Sequence, residues 1–478
     1  MSKTPFHILE WIGKDILSND EAERFVVTGF GRNLLGQTCS ISFEHLPTFL
    51  VRSQCELQPL LRAMAEIFDE KLHPSSGIVY GKPFTKWQDA DEPFLRLVFT
   101  NKQTASNAAD LFRKPELRGP ASYNMPNWLV KRRLLDYDTY ECDAEAVLEA
   151  LATRGIPTTG WVIASVPPVK NPAGYGSQCD CHFQCVPIPL ADADIPEHSA
   201  PHVVATFDIE TYSSRSTKDN NIFPDATVNE DVVTMIVTYF NRFGETTPYD
   251  ALALVLIGPG GVAPKVKTVQ SENVTVRVLY FKREVELLRA WVASYADARV
   301  TVWSHFNGLG FDEPYLYNRC KMNNVDMSPM CYLTSNGKRP SLSVQNLESA
   351  AYGFNQFSTI EIPGVFHCDL MSAIKKAHSL DKYSLDACAE QFLPNGERKA
   401  DMKPQQMFDS YRLNQLELLL EYCVQDVHVT YLLAEKLSIL PSMIESAAIS
   451  WVTPTMIASR GQQIRVYSVG RAAHVTII

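Results

Sequence analysis

The chain has 478 residues, 45% of them apolar and 21% charged, with a formal net charge of −10. That length exceeds a single core and predicts two or three domains, and the balance excludes a disordered chain. The acidic excess excludes a general cationic coat for nucleic acid, so any such contact must rest on local basic patches and metal ions.

Met1-Ser-Lys-Thr-Pro-Phe6 lacks a basic-then-apolar layout, and the longest apolar run, Ala251 to Ile257, is too short for a bilayer span. Eleven cysteines scattered singly among apolar positions suit a reducing compartment. An intracellular protein, neither secreted nor membrane-bound, is expected.

In chain order, Phe25 to Arg32 and Thr38 to Phe43 predict short strands separated by the turn residues Asn33 and Gly36. Leu57 to Leu72 and Ala144 to Arg154 have helical periodicity, the second ending at Gly155 and Pro157. Lys131-Arg132-Arg133, with Trp128 and Tyr137 nearby, offers a phosphate-and-stacking patch, and a solvated helix end explains it equally well. Cys179, Cys181, His182 and Cys185 are zinc-ligand types. Zinc sites usually space their ligands in two separated pairs, however, and the alternation here reads better as a strand. The proline-rich stretch from Pro187 to Pro201 predicts a boundary, leaving residues 1–195 as a mixed, β-leaning domain.

Val203 to Phe207 predicts a buried strand running into Asp208, followed by a strand over Val232 to Phe240. A helix is expected over Arg283 to Tyr295 and a strand over Val300 to Trp303. Helical patterns resume after Asp369 and over Tyr411 to Leu440, where Pro441 closes the run. Strands followed by alternating helices predict an α/β layer fold.

Three acidic signatures lie on this framework. Asp208 and Glu210 are two apart at a strand end, so both point to one face while Phe207 and Ile209 point to the other. Asp312 follows the turn Asn307-Gly-Leu-Gly-Phe311 and precedes Glu313-Pro314, which alone suggests a helix N-cap. Tyr422 and Asp426 share a helix face, with Leu418, Leu419 and Val429 as packing residues. Each piece alone has an ordinary structural explanation. Four carboxylates converging on one point need a cation between them, and a pair of Mg²⁺ ions so held is suited to phosphodiester chemistry.

From about Val203 to Ser468 the sequence resembles the 3′→5′ proofreading exonuclease domain of family B DNA polymerases. The resemblance is carried by Phe207-Asp-Ile-Glu210 with Ile222-Phe-Pro-Asp-Ala226, by Phe306-Asn-Gly-Leu-Gly-Phe-Asp312-Glu-Pro-Tyr-Leu316, and by Glu421-Tyr-Cys-Val-Gln-Asp426. Pro363 to Leu370, Asp381 to Cys388, and Ser459 to Ser468 match connecting segments, the last being the entry to the palm. Phe6 to Trp11, Phe30 to Arg32, Thr139 to Asp143 and Gly160-Trp161-Val162 more loosely resemble the N-terminal domain of viral and delta-type members. Gly310 stands where many relatives have a second asparagine, and His305 where glycine is usual.

The resemblance implies an RNase H-like exonuclease domain at 196–445, preceded by a β-rich, OB-like domain and followed by a palm-entry segment at 446–478. It implies two Mg²⁺ ions, with Mn²⁺ as a substitute, held by Asp208, Glu210, Asp312 and Asp426. Tyr422 would be catalytic, and Phe306 and Asn307 would contact DNA. Single-stranded 3′ ends and primer-template DNA would be the partners, in a nucleus or a cytoplasmic viral factory. No Asp-x-x-Ser-Leu-Tyr-Pro, Lys-x-x-x-Asn-Ser-x-Tyr-Gly or Tyr-x-Asp-Thr-Asp motif occurs. Synthesis is therefore expected only with a palm supplied elsewhere, by a second chain or by lost downstream sequence, with a processivity factor as a further partner. A silent nucleic-acid-binding or scaffold fragment is the alternative.

Overall fold

The computed structural model describes residues 4–458 except 18–20, 54–55, 83–89, 114–136, 143–144, 170–175, 192–193, 198, 218, 334–339, 350–352 and 395–401. The basic run 131–133, Trp128 and the palm-entry residues 459–468 lie outside the described residues, as does the side chain of Tyr137.

The first part is β-rich, as its short alternating runs predict. A six-stranded sheet contains Pro5–Leu17, Glu23–Asn33, Thr38–His45, Gly160–Ile163, Cys181–Gln184 and Ile188–Pro189. A four-stranded sheet contains Thr48–Ser53, Gly77–Gly81, Glu92–Val98 and Tyr137–Tyr140, with helices Leu57–Phe68 and Lys102–Arg113 contributing to its core. The cysteine-rich segment forms the strand expected of it: Cys181–Gln184 pairs in parallel with Thr38–His45, and Ser40 Oγ lies 2.8 Å from His182 Nδ1.

The second part centres on one seven-stranded sheet. Its strands are β1 (Val203–Thr211), β2 (Val233–Arg242), β3 (Asp250–Leu256), β4 (Thr268–Ser271), β5 (Val274–Phe281), β6 (Val302–His305) and β7 (Phe366–Asp369), in the order β4-β5-β3-β2-β1-β6-β7. β2 runs antiparallel to both β1 and β3, whereas β6 and β7 continue parallel to β1. The β1–β2 register shifts between Glu210 and Thr211: Glu210 faces Met235 and Thr211 faces Val233, leaving Thr234 as the extra residue of a bulge.

Helices cover both faces, so β1 is apolar enough to be buried on each side. Helix α1 (Glu284–Asp297) places Trp291 and Tyr295 against Trp303, with Phe207 packed onto Tyr295 and Trp303. After α2 (Asp312–Met322), α3 (Leu370–Ala377), α4 (Leu385–Phe392) and α5 (Pro404–Arg412) comes the long α6 (Leu416–Lys436). It covers the opposite face, where Tyr239 of β2 packs on His428 and Tyr431. Thirteen of the 21 residues of α6 are buried, but Leu418 is 51% exposed and does not serve as the packing residue it was expected to be.

The single run expected over Tyr411 to Leu440 is three helices. Asn414 adopts φ +55° between α5 and α6, and its side chain leaves the helical path to accept the Gly258 N–H and donate to Val262 O. Ser438 (φ +48°) separates α6 from α7 (Ile439–Ser450). Pro441 therefore stands in the first turn of a helix instead of closing one, where a missing N–H costs nothing.

Candidate active site

The acids arrive from three elements. β1 delivers Asp208 and Glu210, and its period of two directs both away from Phe207 and Ile209. Asp208 is half-buried and Glu210 buried. Asp312 is the first residue of α2 and not its N-cap; Phe311 takes that position, and the Asp312 carboxylate accepts the Ile209 N–H at 3.2 Å. This bond ties the helix start to the strand, between its two acids. Tyr422 and Asp426 lie one turn apart on α6, both buried.

A buried thiol marks where these groups meet. The Cys423 Sγ lies 4.0 Å from the Asp208 carbonyl oxygen, and the ligand atoms of Asp208, Glu210 and Cys423 all fall within 4.8 Å of one another. The Cys423 pKa is driven well above its ordinary value, first by burial and then by the charges of Glu210, Asp208, Asp426 and Asp312. Asp208 and Glu210 flank this thiol, and the Asp312 carboxylate is tied to the peptide between them. Burial also pushes Asp312 up to about 7, against the pull of His305 and of backbone hydrogen bonds. Carboxylates crowded in a desolvated space are stable as anions when a cation shares it, and hard oxygen donors suit Mg²⁺. The donor set fits a divalent metal. Cys423, held as the neutral thiol, packs there without the charge a metal ligand needs.

Phe306 and Asn307 occupy the loop between β6 and α2, both half-buried. Phe306 lies against the apolar cluster of the C-terminal helices, and Asn307 holds φ +62°. A Cβ at Gly310 would come within 2.7 Å of Asn307 Oδ1, so glycine there leaves the amide its place.

Two features escaped the sequence reading. Phe223, 71% exposed, meets Phe311 edge-on with ring centroids 5.2 Å apart, which sets an accessible aromatic beside Asp312. Phe223 lies in the matched stretch Ile222-Phe-Pro-Asp-Ala226, where the sequence reading assigned it no role. The second feature is a buried charged cluster behind the loop, formed by His305 of β6, Glu313 of α2, and His367 and Asp369 of β7. Burial opposes the charge on Glu313, but His367 and His305 outweigh it and lower its pKa to about 2. Burial likewise pulls His305 down, while Asp369 and Glu313 raise it to about 10.

With this geometry in place, comparison with known proteins identifies its lineage. The model of the DNA polymerase family B exonuclease domain matches residues 137–388, more than half the chain. The chain belongs to the family B DNA polymerases. The matched region contains Asp208, Glu210 and Asp312 and ends before Tyr422 and Asp426. A DNA polymerase of Paramecium bursaria Chlorella virus NY2A is 24% identical over 492 residues, covering 99% of this chain and 49% of the relative. A putative DNA polymerase of Frog virus 3 is 26% identical over 69% of this chain and 31% of its own length. The DNA polymerase delta catalytic subunit of Schizosaccharomyces pombe is 24% identical over 79% of this chain and 32% of the subunit. The chain thus spans about half or less of each of these family B relatives. Among the described residues no helix is long and apolar enough to cross a membrane.

Proposed function

We propose that this family B chain carries a 3′→5′ exonuclease that hydrolyses the terminal phosphodiester of single-stranded DNA with two divalent ions. The observation that supports this best is the convergence of Asp208 and Glu210 beside Cys423 of α6, with the Asp312 carboxylate bonded to the Ile209 N–H between them. In this reading Asp208, Glu210, Asp312 and Asp426 would hold the ions, with Glu210 and Asp426 serving the one that activates the attacking water. When bound, Mg²⁺ or Mn²⁺ supplies a water of lowered pKa and neutralises charge at the leaving 3′-oxygen.

The protein's own groups position the reactants. The Tyr422 phenol both donates and accepts, so with Glu210 it orients the water toward phosphorus. Asn307 hydrogen-bonds the terminal nucleotide, and Phe306 and Phe223 offer aromatic faces for its bases, a contact worth roughly 1–3 kcal/mol per stacked base. The buried walls around Glu210, Asp312 and Asp426 keep competing water out and strengthen every charge interaction.

The order β3-β2-β1-β6-β7, with only β2 reversed, is read as an RNase H-like core at 196–445, and the six-stranded sheet as part of an OB-like domain within 1–195. The role proposed is proofreading in DNA replication. It acts on single-stranded 3′ ends and on primer-template DNA, with a palm on other sequence and a processivity factor as partners. The test is Mg²⁺- or Mn²⁺-dependent release of mononucleotides from a 3′-labelled single strand. The Asp208→Ala/Glu210→Ala variant should be silent; equal degradation by the variant and the native chain would sink the catalytic reading. DNA retained on filters without any turnover of the native chain would instead support a silent binding fragment.

A further inference from the structure

The loop that carries Phe306 and Asn307 is anchored to buried charge. His305 ends β6 and is wholly buried, with Nε2 2.9 Å from Glu313 Oε1. Glu313, the second residue of α2, also takes the His367 Nδ1 contact on Oε1 at 2.8 Å and accepts the Ile360 N–H on Oε2 at 2.8 Å. Around the other ring nitrogen, the Gly308 N–H and Asp369 Oδ2 face His305 Nδ1 at 3.1 and 3.5 Å. Asp369 in turn accepts the Leu309 N–H at 3.2 Å and the Ser372 N–H at 2.9 Å. The Gly308 carbonyl accepts the Glu313 N–H at 2.9 Å, closing the circuit. A Cβ on Gly308 would stand 2.4 Å from the imidazole, so the loop rests directly on that ring.

The Leu309 N–H thus ends on Asp369, Gly308 packs directly on the His305 ring, and the residue just before them, Asn307, is fixed in a left-handed conformation. Well-packed apolar residues could fill such a site at similar stability, so a buried ionic cluster is better explained by the geometry it imposes.

We propose that His305 and Glu313 form a positioning pair for the exonuclease reaction: Glu313 clamps the His305 ring, the ring and Asp369 fix the 306–310 loop, and the loop thereby sets Asn307 and Phe306 on the terminal nucleotide. This rests on the nuclease reading above. The pair acts through the loop and touches neither the reacting phosphate nor the metal. Its loss should therefore penalise substrates that need the loop more than substrates that need only the acids.

The test compares two substrates in the full chain: a single-stranded oligonucleotide and the small chromogenic diester bis(4-nitrophenyl) phosphate, which carries no nucleoside for the loop to hold. The variants are Glu313→Gln, which keeps the shape but loses the charge, and His305→Gln. Melting temperature and circular dichroism establish the folded fraction of each. Misplacement of a reacting group by about 1 Å costs on the order of 100-fold, so kcat/KM on the oligonucleotide should fall 10- to 100-fold per folded molecule. On the small diester it should fall less than threefold. If both substrates fall together, or neither falls while the melting temperature drops, the pair is only structural and the proposal is overturned. Should Glu313→Gln fail to fold, His305→Gln, which retains a donor toward Glu313, decides by the same ratio. A native chain silent on both substrates would overturn the nuclease reading itself, a different outcome from native activity with an unchanged ratio in the variants.

Discussion

Removing the Glu284 carboxylate should be the most damaging single change away from the acids. Glu284 opens α1 and Arg319 lies in the last turn of α2, each at the helix end that favours its charge. They meet side-on, Nε to Oε1 at 2.9 Å and Nη2 to Oε2 at 2.6 Å, with Arg319 1% and Glu284 7% exposed. Glu284 also accepts the Val233 N–H at 2.8 Å and the Asn323 amide at 2.9 Å. The guanidinium further donates to the carbonyls of Ala226, Val228 and Asn229, which fixes the loop that follows Phe223. Glu284→Ala would strand a buried cation and two donors, at a cost of about 3–5 kcal/mol. For a domain of this size that lowers the melting temperature by about 6–20 °C. Differential scanning calorimetry at low and high salt is the assay. Burial shields the pair from screening, so 1 M salt should leave most of the difference intact. A shift below about 3 °C, or one that salt abolishes, would refute the argument that this pair is a desolvated clamp.

Three further outcomes follow from other sites. Burial raises the Glu10 pKa to about 7 from its ordinary 4.5, so the folded chain keeps a proton that the unfolded chain releases. That contribution is complete below pH 4.5 and lost as pH rises through 7, about 3 kcal/mol in all. Glu10→Gln should therefore match the native chain in thermal melts at pH 5 and exceed its stability at pH 8, and equal melts at both values would disprove the linkage. Cys423, buried beside Asp208 and Glu210, should resist iodoacetamide at pH 8 in the native state and react on unfolding; mass spectrometry showing it alkylated as fast as half-buried Cys185 would contradict that environment. Gly308→Ala forces a Cβ against a ring held by two carboxylates and should cost about 1–3 kcal/mol in chemical denaturation, with a loss of oligonucleotide cleavage. An unchanged midpoint with unchanged cleavage would show that the loop has room.

The site was more legible in the sequence than the scaffold around it, for physical reasons. Asp208 and Glu210 announce themselves because an apolar strand runs straight into them, and Tyr422 and Asp426 because four residues make one helical turn. Their meeting at Cys423 is a long-range fact: α6 and β1 are some two hundred residues apart, and no local pattern records the contact. The His305, Glu313, His367 and Asp369 cluster was hidden for the same reason, each member looking like an ordinary polar residue in its own segment. Helix ends misled where a side chain had a better partner. Asp312 opens its helix instead of capping it and accepts the Ile209 N–H of β1, and Asn414 interrupts what reads as one long helix to reach Gly258. The hairpin of Ser341–Ser349 with Gly353–Glu361 lacks the turn signature that would have marked it.

The β1–β2 register makes the placement of the paired acids all-or-nothing with respect to chain length. Asp208 and Glu210 point toward α6 only because β1 is held in one register against β2, and a slip of a single residue would turn Phe207 and Ile209 into their places. Point substitutions along Val203 to Thr206 can weaken packing by degrees. A one-residue insertion there has no intermediate result: either a new bulge before Asp208 absorbs it and both acids stay, or both are exchanged for apolar side chains at once. In evolution, this segment should tolerate changes of letter far more readily than changes of count.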